Sequence, residues 1–126
     1  MKKFLFFIAL SLTIFTNHVF SVEPDVFVQS TVNRASQILS STSAKEEKIE
    51  KLQVVAKETV DIKGIGFYTL GAYRKNLNND QKKEYSVLFE KYFLKSFASR
   101  LAEYSNPEIE VNSKEKLSEN YTMVSS

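Results

Sequence analysis

Apolar residues recur three and four positions apart in the first part of the chain, which is the spacing of an amphipathic helix. Pro24 breaks the chain before this pattern, and Asp25 is a favourable residue for a helix N-cap. The apolar stripe that follows consists of Val28, Val32, Ala35 and Leu39. A run of hydroxyl residues at 40–43 then indicates the end of this first helix.

A second helix is predicted over residues 44–58, where charged residues surround a narrow apolar stripe. Ser43, with Glu46 three positions later, has the form of a capping box at its start. The charge run at 45–48 is most simply a solvated helix face. The apolar stripe consists of Ile49, Leu52, Val55 and Ala56.

The three glycines of the protein fall between residues 60 and 71, where the pattern predicts a short helix that ends at Gly71. Asp61 is suited to cap this helix, although a carboxylate beside an apolar patch is also a candidate catalytic group. Asn78 or Asn79 then caps the longest helix, which we expect to run from about residue 80 to about Tyr104.

About half of the circumference of this long helix is apolar and rich in aromatic residues. Such a face is ordinarily packed into a core. The wall of a ligand cavity has the same composition, because it is a core face with its partner missing, so the pattern leaves both interpretations open. The face consists of Tyr85, Leu88, Phe89, Tyr92, Phe93 and Phe97.

Strand patterns appear only towards the end of the chain. Residues 108–112 alternate between polar and apolar as a half-buried strand does, and residues 121–124 favour a second strand. We therefore predict an α+β fold, in which a helical N-terminal half is followed by the start of an antiparallel or mixed sheet. Because two strands make a poor sheet, we expect the chain to be incomplete relative to the fold it begins to specify.

Residues 1–21 have the layout of a secretory signal peptide, with a basic start, an uncharged apolar stretch over 4–15 and a cut that we place after Ser21. The alternative is an uncleaved membrane anchor. A spanning helix needs about 20 apolar residues, and Asn17 and His18 interrupt this one too early. We therefore predict that residues 22–126 form the exported protein.

The exported part lacks two residue types that much enzyme chemistry requires. His18 is the only histidine and lies in the predicted signal, and the chain has no cysteine. These absences exclude His-based triads, thiolate nucleophiles and the usual zinc sites, so we predict no catalytic residues, no metal and no cofactor.

Two of the 17 basic residues also lie in the predicted signal, so the 15 basic residues of the exported part are balanced by the 15 acidic ones. This balance gives no electrostatic reason to expect nucleic-acid binding.

Roughly residues 25–126 resemble the MlaC family, also called the toluene-tolerance family, and the specific part of the resemblance lies between Val60 and Tyr104. Val60-Asp61 is followed by the short helix and then by Leu70-Gly71, with an aromatic and two basic residues at 73–75. A polar turn and a long aromatic helix come next, as in the family. The matching residues there are Gln81, Phe89, Tyr92, Phe93 and Tyr104.

The resemblance implies a periplasmic phospholipid carrier that maintains the lipid asymmetry of the outer membrane. Its partners would be phospholipid, an inner-membrane ABC transporter complex and an outer-membrane lipoprotein–porin complex. Residues 22–126 would be the N-terminal part of such a lipid-carrier domain. The lipid-binding candidates are Ile65, Leu70, Tyr73, Phe89, Tyr92, Phe93 and Phe97.

The end of the chain departs from the family pattern, because family members continue with further strands and a closing helical segment. Two outcomes are open for a carrier of this kind: the shortened chain still holds lipid, or it is inactive through truncation. The alternative function is a small periplasmic helical protein that binds protein partners through its aromatic face, as a chaperone does, and carries no lipid.

Overall fold

The computed structural model describes residues 21–126. Residues 1–20 of the predicted signal peptide lie outside the described residues. This part of the chain contains four α-helices, one short 3-10 helix and a two-stranded antiparallel sheet, which confirms the α+β class. The elements in order are α1 (Pro24–Ser40), α2 (Lys45–Thr59), α3 (Ile62–Thr69), the 3-10 helix Gly71–Lys75, α4 (Asn79–Leu101), β1 (Lys114–Lys116) and β2 (Thr122–Val124).

Helix α1 begins two residues earlier than an N-cap at Asp25 predicts. Pro24 is its first residue and Glu23 occupies the N-cap position, so the expectation that Asp25 caps the helix is wrong. Proline fits the first position of a helix because its fixed φ is already helical and its missing N–H would have no partner there. Asp25 lies instead in the first turn, where a negative charge is favourable next to the helix N-terminus.

The predicted capping box of α2 is also wrong. Ala44 occupies the N-cap position and provides no side-chain cap. Ser43 lies one residue too early to cap the helix. Glu47, in the first turn, pairs with Lys51 at 2.6 Å. The Lys51 ammonium, and then the Ser43 hydroxyl, lower the pKa of Glu47.

The caps predicted for the next two helices are confirmed. Asp61 Oδ1 accepts a hydrogen bond from the Gly64 amide at 2.9 Å, as an N-cap does. Asn78 and Gln81 form a reciprocal capping box at the start of α4. Gly71 has a φ of +53°, which suits glycine and ends α3 where predicted. Helix α4 ends at Leu101, three residues before the expected Tyr104.

The hydrophobic core consists of two neighbouring clusters, and α4 contributes to both. Leu39 of α1, Leu52 of α2 and Ala98 of α4 form the first cluster. Ala56 of α2, Ile62 of α3 and Leu94 of α4 form the second. The helices therefore pack around the side of α4 that carries Leu94 and Ala98.

The strand predicted at Glu108–Asn112 is wrong, whereas the strand predicted at Tyr121–Val124 is confirmed as β2. Strand β2 pairs antiparallel with β1, with Lys114 opposite Val124 and Lys116 opposite Thr122. The chain reverses between the two strands, so the residues just before the reversal become the partners of β2. Of the predicted segment, only Asn112 reaches this ladder, through a bond of 2.9 Å from its amide to the Ser125 carbonyl.

A charge contact attaches the hairpin of β1 and β2 to the start of α1. Lys114 Nζ lies 2.7 Å from Glu23 Oε2 and 2.9 Å from Asp25 Oδ1. The hydrogen bond from Lys114 lowers the pKa of Asp25, and the two carboxylates raise the pKa of Lys114, Asp25 having the larger effect. Each group is therefore held in its charged form.

We expect Gly66→Ala to destabilise the fold, although alanine is a better helix former than glycine by about 1 kcal/mol. A Cβ at Gly66 would lie 2.8 Å from Cδ1 of the Phe89 ring. Overpacking of this kind costs about 1–3 kcal/mol, so the net loss of unfolding free energy should be about 1 kcal/mol. Urea unfolding measures it. In a Phe89→Leu background the same substitution should become neutral or stabilising, and an equal cost in both backgrounds would contradict the explanation.

We expect Lys114→Met to raise the pKa of Asp25 towards that of an ordinary aspartate and to loosen the hairpin. The contribution of Asp25 to stability is complete above its usual pKa and is lost as the pH falls through the lowered folded value. The contribution of Lys114 is complete below its usual pKa and is lost as the pH rises through the raised folded value. The attachment is therefore strongest around neutral pH.

NMR titration of Asp25 and hydrogen exchange of the Ser125 amide measure these two effects of the Lys114 substitution. Lys116→Met is the matched control, since Lys116 lies on the same strand and forms no salt bridge within residues 21–126. Equal effects of the two substitutions would show that the charge contact with α1 does not hold the hairpin.

Candidate functional site

Four aromatic rings follow one another along α4 at intervals of four residues, a spacing that places side chains next to each other on a helix. Ring centroids are 5.8 Å apart for Tyr85–Phe89, 6.1 Å for Phe89–Phe93 and 5.4 Å for Phe93–Phe97. The ring planes of each pair lie within 27° of parallel, so the rings are stacked. We call Tyr85, Phe89, Phe93 and Phe97 the aromatic row.

The aromatic row is only partly covered by protein. Phe89 and Phe93 are half-buried and pack against the cluster of Ala56, Ile62 and Leu94. Phe97, at the end of the row, is 38% exposed. The row thus contributes to the core on one side and remains accessible on the other.

Helix α3 supports the row at its N-terminal end. Gly66 is buried directly against the Phe89 ring, where the absence of a Cβ permits the close approach. The Thr69 hydroxyl and the Tyr85 hydroxyl are 2.9 Å apart and share a hydrogen bond. These two contacts fix the position of the first two rings relative to α3.

The structure places the seven predicted lipid-binding residues in two groups. Phe89, Phe93 and Phe97 come together in the aromatic row. The others lie outside it, with differing exposure: Ile65 is 39% exposed, Leu70 is half-buried, Tyr92 is 69% exposed and Tyr73 is 76% exposed. Lipid contact remains a prediction for all seven.

Three further residues with apolar or aromatic side chains on α3 and α4 were not in the predicted set. Tyr85 begins the aromatic row. Its position four residues before Phe89 was the sequence signal that could have added it to the lipid-binding candidates. Leu88 on α4 and Tyr68 on α3 are 58% and 84% exposed. Periodicity placed Leu88 on the aromatic face, but it could not show that the side chain stays uncovered.

None of the seven predicted residues lines any of five cavities found within residues 21–126. Two of these cavities lie between α1 and the extended segment after α4, and a third, of about 330 Å³, lies between α3 and α4.

Two further properties of residues 21–126 bear on chemistry. They contain no group of three or more histidine, cysteine, aspartate or glutamate side chains that could hold a metal ion. None of the helices in this region is both long enough and apolar enough to span a membrane.

A partly uncovered aromatic row is a feature of proteins that bind apolar ligands or partners. Comparison with protein-family models matches residues 29–126 to the family described as MlaC protein. The chain therefore belongs to the MlaC family. This is a family of phospholipid-binding transport proteins and not of enzymes. Comparison with curated proteins gave no match, and comparison with solved structures gave none either.

We expect Phe93→Ala and Tyr92→Ala to differ clearly in their effect on stability, although the two residues are adjacent. Truncation of a fully buried phenylalanine to alanine lowers the free energy of unfolding by about 3–5 kcal/mol, so truncation of the half-buried Phe93 should lower it by about 2 kcal/mol. Tyr92 is 69% exposed, and its loss should stay within about 0.5 kcal/mol. Urea denaturation of both variants tests this difference. Similar losses would mean that the row is covered differently in solution.

Proposed function

We propose that this protein is a periplasmic phospholipid carrier of an intermembrane lipid transport system that maintains the lipid asymmetry of the outer membrane. The observation that carries this proposal is the family match over residues 29–126. The aromatic row supports it, because the row leaves apolar rings accessible beside a small core.

The physical task of a carrier is to keep acyl chains out of water between two membranes. Each buried CH₂ group contributes about 0.8 kcal/mol, so a phospholipid with roughly 30 such groups needs on the order of 20 kcal/mol of apolar shelter. Stacked aromatic rings provide a large apolar surface that is fixed in advance and loses little side-chain entropy when a chain lies on it. No covalent chemistry is needed.

Within this function, the aromatic row is proposed to contact the acyl chains. Ile65, Leu70, Tyr73 and Tyr92 are proposed to extend that contact around α3 and α4. The partly exposed state of the row is what permits this role, since rings that were fully packed in the core would leave nothing for a ligand to touch.

The proposed partners are those of the transport system. The carrier would receive and deliver phospholipid at an inner-membrane ABC transporter complex and at an outer-membrane lipoprotein–porin complex. This part of the proposal rests on family membership, and so does the periplasmic location, for which the predicted signal peptide over residues 1–21 is the sequence argument.

Native mass spectrometry of the protein purified from bacteria that express the full chain tests the cargo. We expect a compact monomer with one or two additional phospholipid masses. Ile65→Asp combined with Tyr92→Asp should remove most of the bound lipid, because both side chains are exposed and a charge there repels acyl chains without disturbing the core.

The matched control combines Val54→Asp with Tyr121→Asp, which places the same two charges on exposed apolar residues elsewhere. This control should keep its lipid. A wild-type protein that folds but carries no lipid, even after incubation with vesicles, would overturn the proposal. In that case, stable complexes with other periplasmic proteins would support the chaperone-like alternative.

A further inference from the structure

A cavity of about 330 Å³ between α3 and the first half of α4 is lined by three lysines, Lys63, Lys82 and Lys83. None of the residues that line it belongs to the aromatic row. Its wall also includes the Phe67 ring and the polar side chains of Asn79 and Ser86. The cavity is therefore a separate feature of the surface, in which positive charge lies beside a small apolar patch.

In the described part of the chain, the lysines of this cavity are not paired with carboxylates. Within residues 21–126, none of the three lysines forms a salt bridge. Glu90 is the one acidic residue in the wall, and its carboxylate is already 3.5 Å from Lys57 Nζ. An anion in the cavity would therefore interact with lysines that have no carboxylate partner among the described residues.

The other groups in the wall narrow the chemical class of this anion. Lysine is a strong binder of phosphate as a point charge, and the Ser86 hydroxyl and the Asn79 amide can donate hydrogen bonds to phosphate oxygens. The Lys63 ammonium lies 5.9 Å from the centre of the Phe67 ring, so the charge and the apolar surface adjoin each other. An anion with a carbon substituent suits this wall better than a bare inorganic ion.

The volume of the cavity and the residues around it also favour a compact anion as its ligand. The cavity is at the lower end of the range of about 300–1,000 Å³ typical of small-molecule sites, which admits a headgroup and not two acyl chains. Asp80 and Glu84 line a neighbouring cavity that shares Lys83, so the positive region is confined. A compact anion fits this confined region, and a broad acidic protein surface does not.

We propose that the cavity bounded by Lys63, Lys82, Lys83 and Phe67 binds a phosphate ester. A phosphate ester group is present both in the headgroup of an anionic phospholipid and in soluble phosphate esters. The site goes beyond the cargo function, since it holds a phosphate group and leaves the acyl-chain surface of the aromatic row untouched.

Binding to two probes tests the proposal: vesicles of phosphatidylcholine that contain phosphatidylglycerol, and glycerol phosphate in solution. The variant combines Lys63→Gln, Lys82→Gln and Lys83→Gln. We expect its affinity for the anionic vesicles to fall about 100-fold, from the contribution of each lysine near an anionic surface. Binding to vesicles alone identifies a lipid headgroup as the ligand, and competition by glycerol phosphate identifies a soluble ester. Both results support the site.

The matched control combines Lys45→Gln, Lys91→Gln and Lys95→Gln, which removes the same charge from exposed lysines outside the cavity. Its affinity should fall by less than about fivefold, since distant surface charges are screened by salt. All proteins are produced from the full chain, so any effect of the N-terminal segment is common to them. Equal losses in the two variants, or no binding of either probe by the wild type, would overturn the proposal.

Native mass spectrometry of the same variants separates this site from the proposed cargo role. The cavity variant should keep any bound phospholipid while losing its affinity for the vesicles. Loss of copurified lipid together with an unchanged affinity for both probes would assign these lysines to the cargo site instead and overturn the proposal. Circular dichroism establishes that the variants are folded as the wild type is.

Discussion

The packing of α2 and α3 onto α4 is the interaction on which the rest of the structure depends. Ala98 is fully buried, and its small side chain lets α4 approach the other helices closely, with Leu39 and Leu52 against it. One turn earlier, Leu94 anchors the second cluster with Ala56 and Ile62. Because both clusters draw on the same side of α4, this side is fully occupied and the neighbouring side is left to the aromatic row.

The small size of the core explains why so much apolar surface remains accessible. Only seven hydrophobic side chains are buried in residues 21–126, and three of them belong to α2. A domain of this size has a high ratio of surface to volume and cannot cover every apolar group. The rings of the aromatic row continue directly from the core, through Phe89 and Phe93. Under the proposed function, stability and lipid contact would depend on the same side chains, which would limit how far either can change alone.

The helical part of the fold could be read from the sequence because helix signals are local. Asp61 and Asn78 cap helices through groups three residues away, and the stripe of α2 is fixed by periodicity. The failed caps at Asp25 and Ser43 show the limit of this reasoning. A favourable residue type does not fix its own position. Because Pro24 is the first helical residue, Asp25 lies two positions after the N-cap of α1, and Ser43 lies one position before the N-cap of α2.

The sequence could not show that Glu108–Asn112 is not a strand. Alternation of polar and apolar residues is a property of one segment, whereas a strand also needs a second segment to pair with. The residues that do pair, Lys114–Lys116, are all exposed and show no alternating burial, so no pattern marked them. The same reasoning applies to the candidate site. Periodicity identified the aromatic face, but the closeness of Gly66 to Phe89 and the uncovered side of the row depend on how helices distant in sequence pack.

The contact of Lys114 with Glu23 and Asp25 joins residues that are 91 and 89 positions apart in the chain. Contacts between such distant residues form late in folding, because nearly the whole chain must first be ordered to bring them together. The four helices, by contrast, are built from local hydrogen bonds and can form before the chain is complete. The hairpin is therefore expected to dock last and to detach first, which makes the end of this chain its least cooperative part.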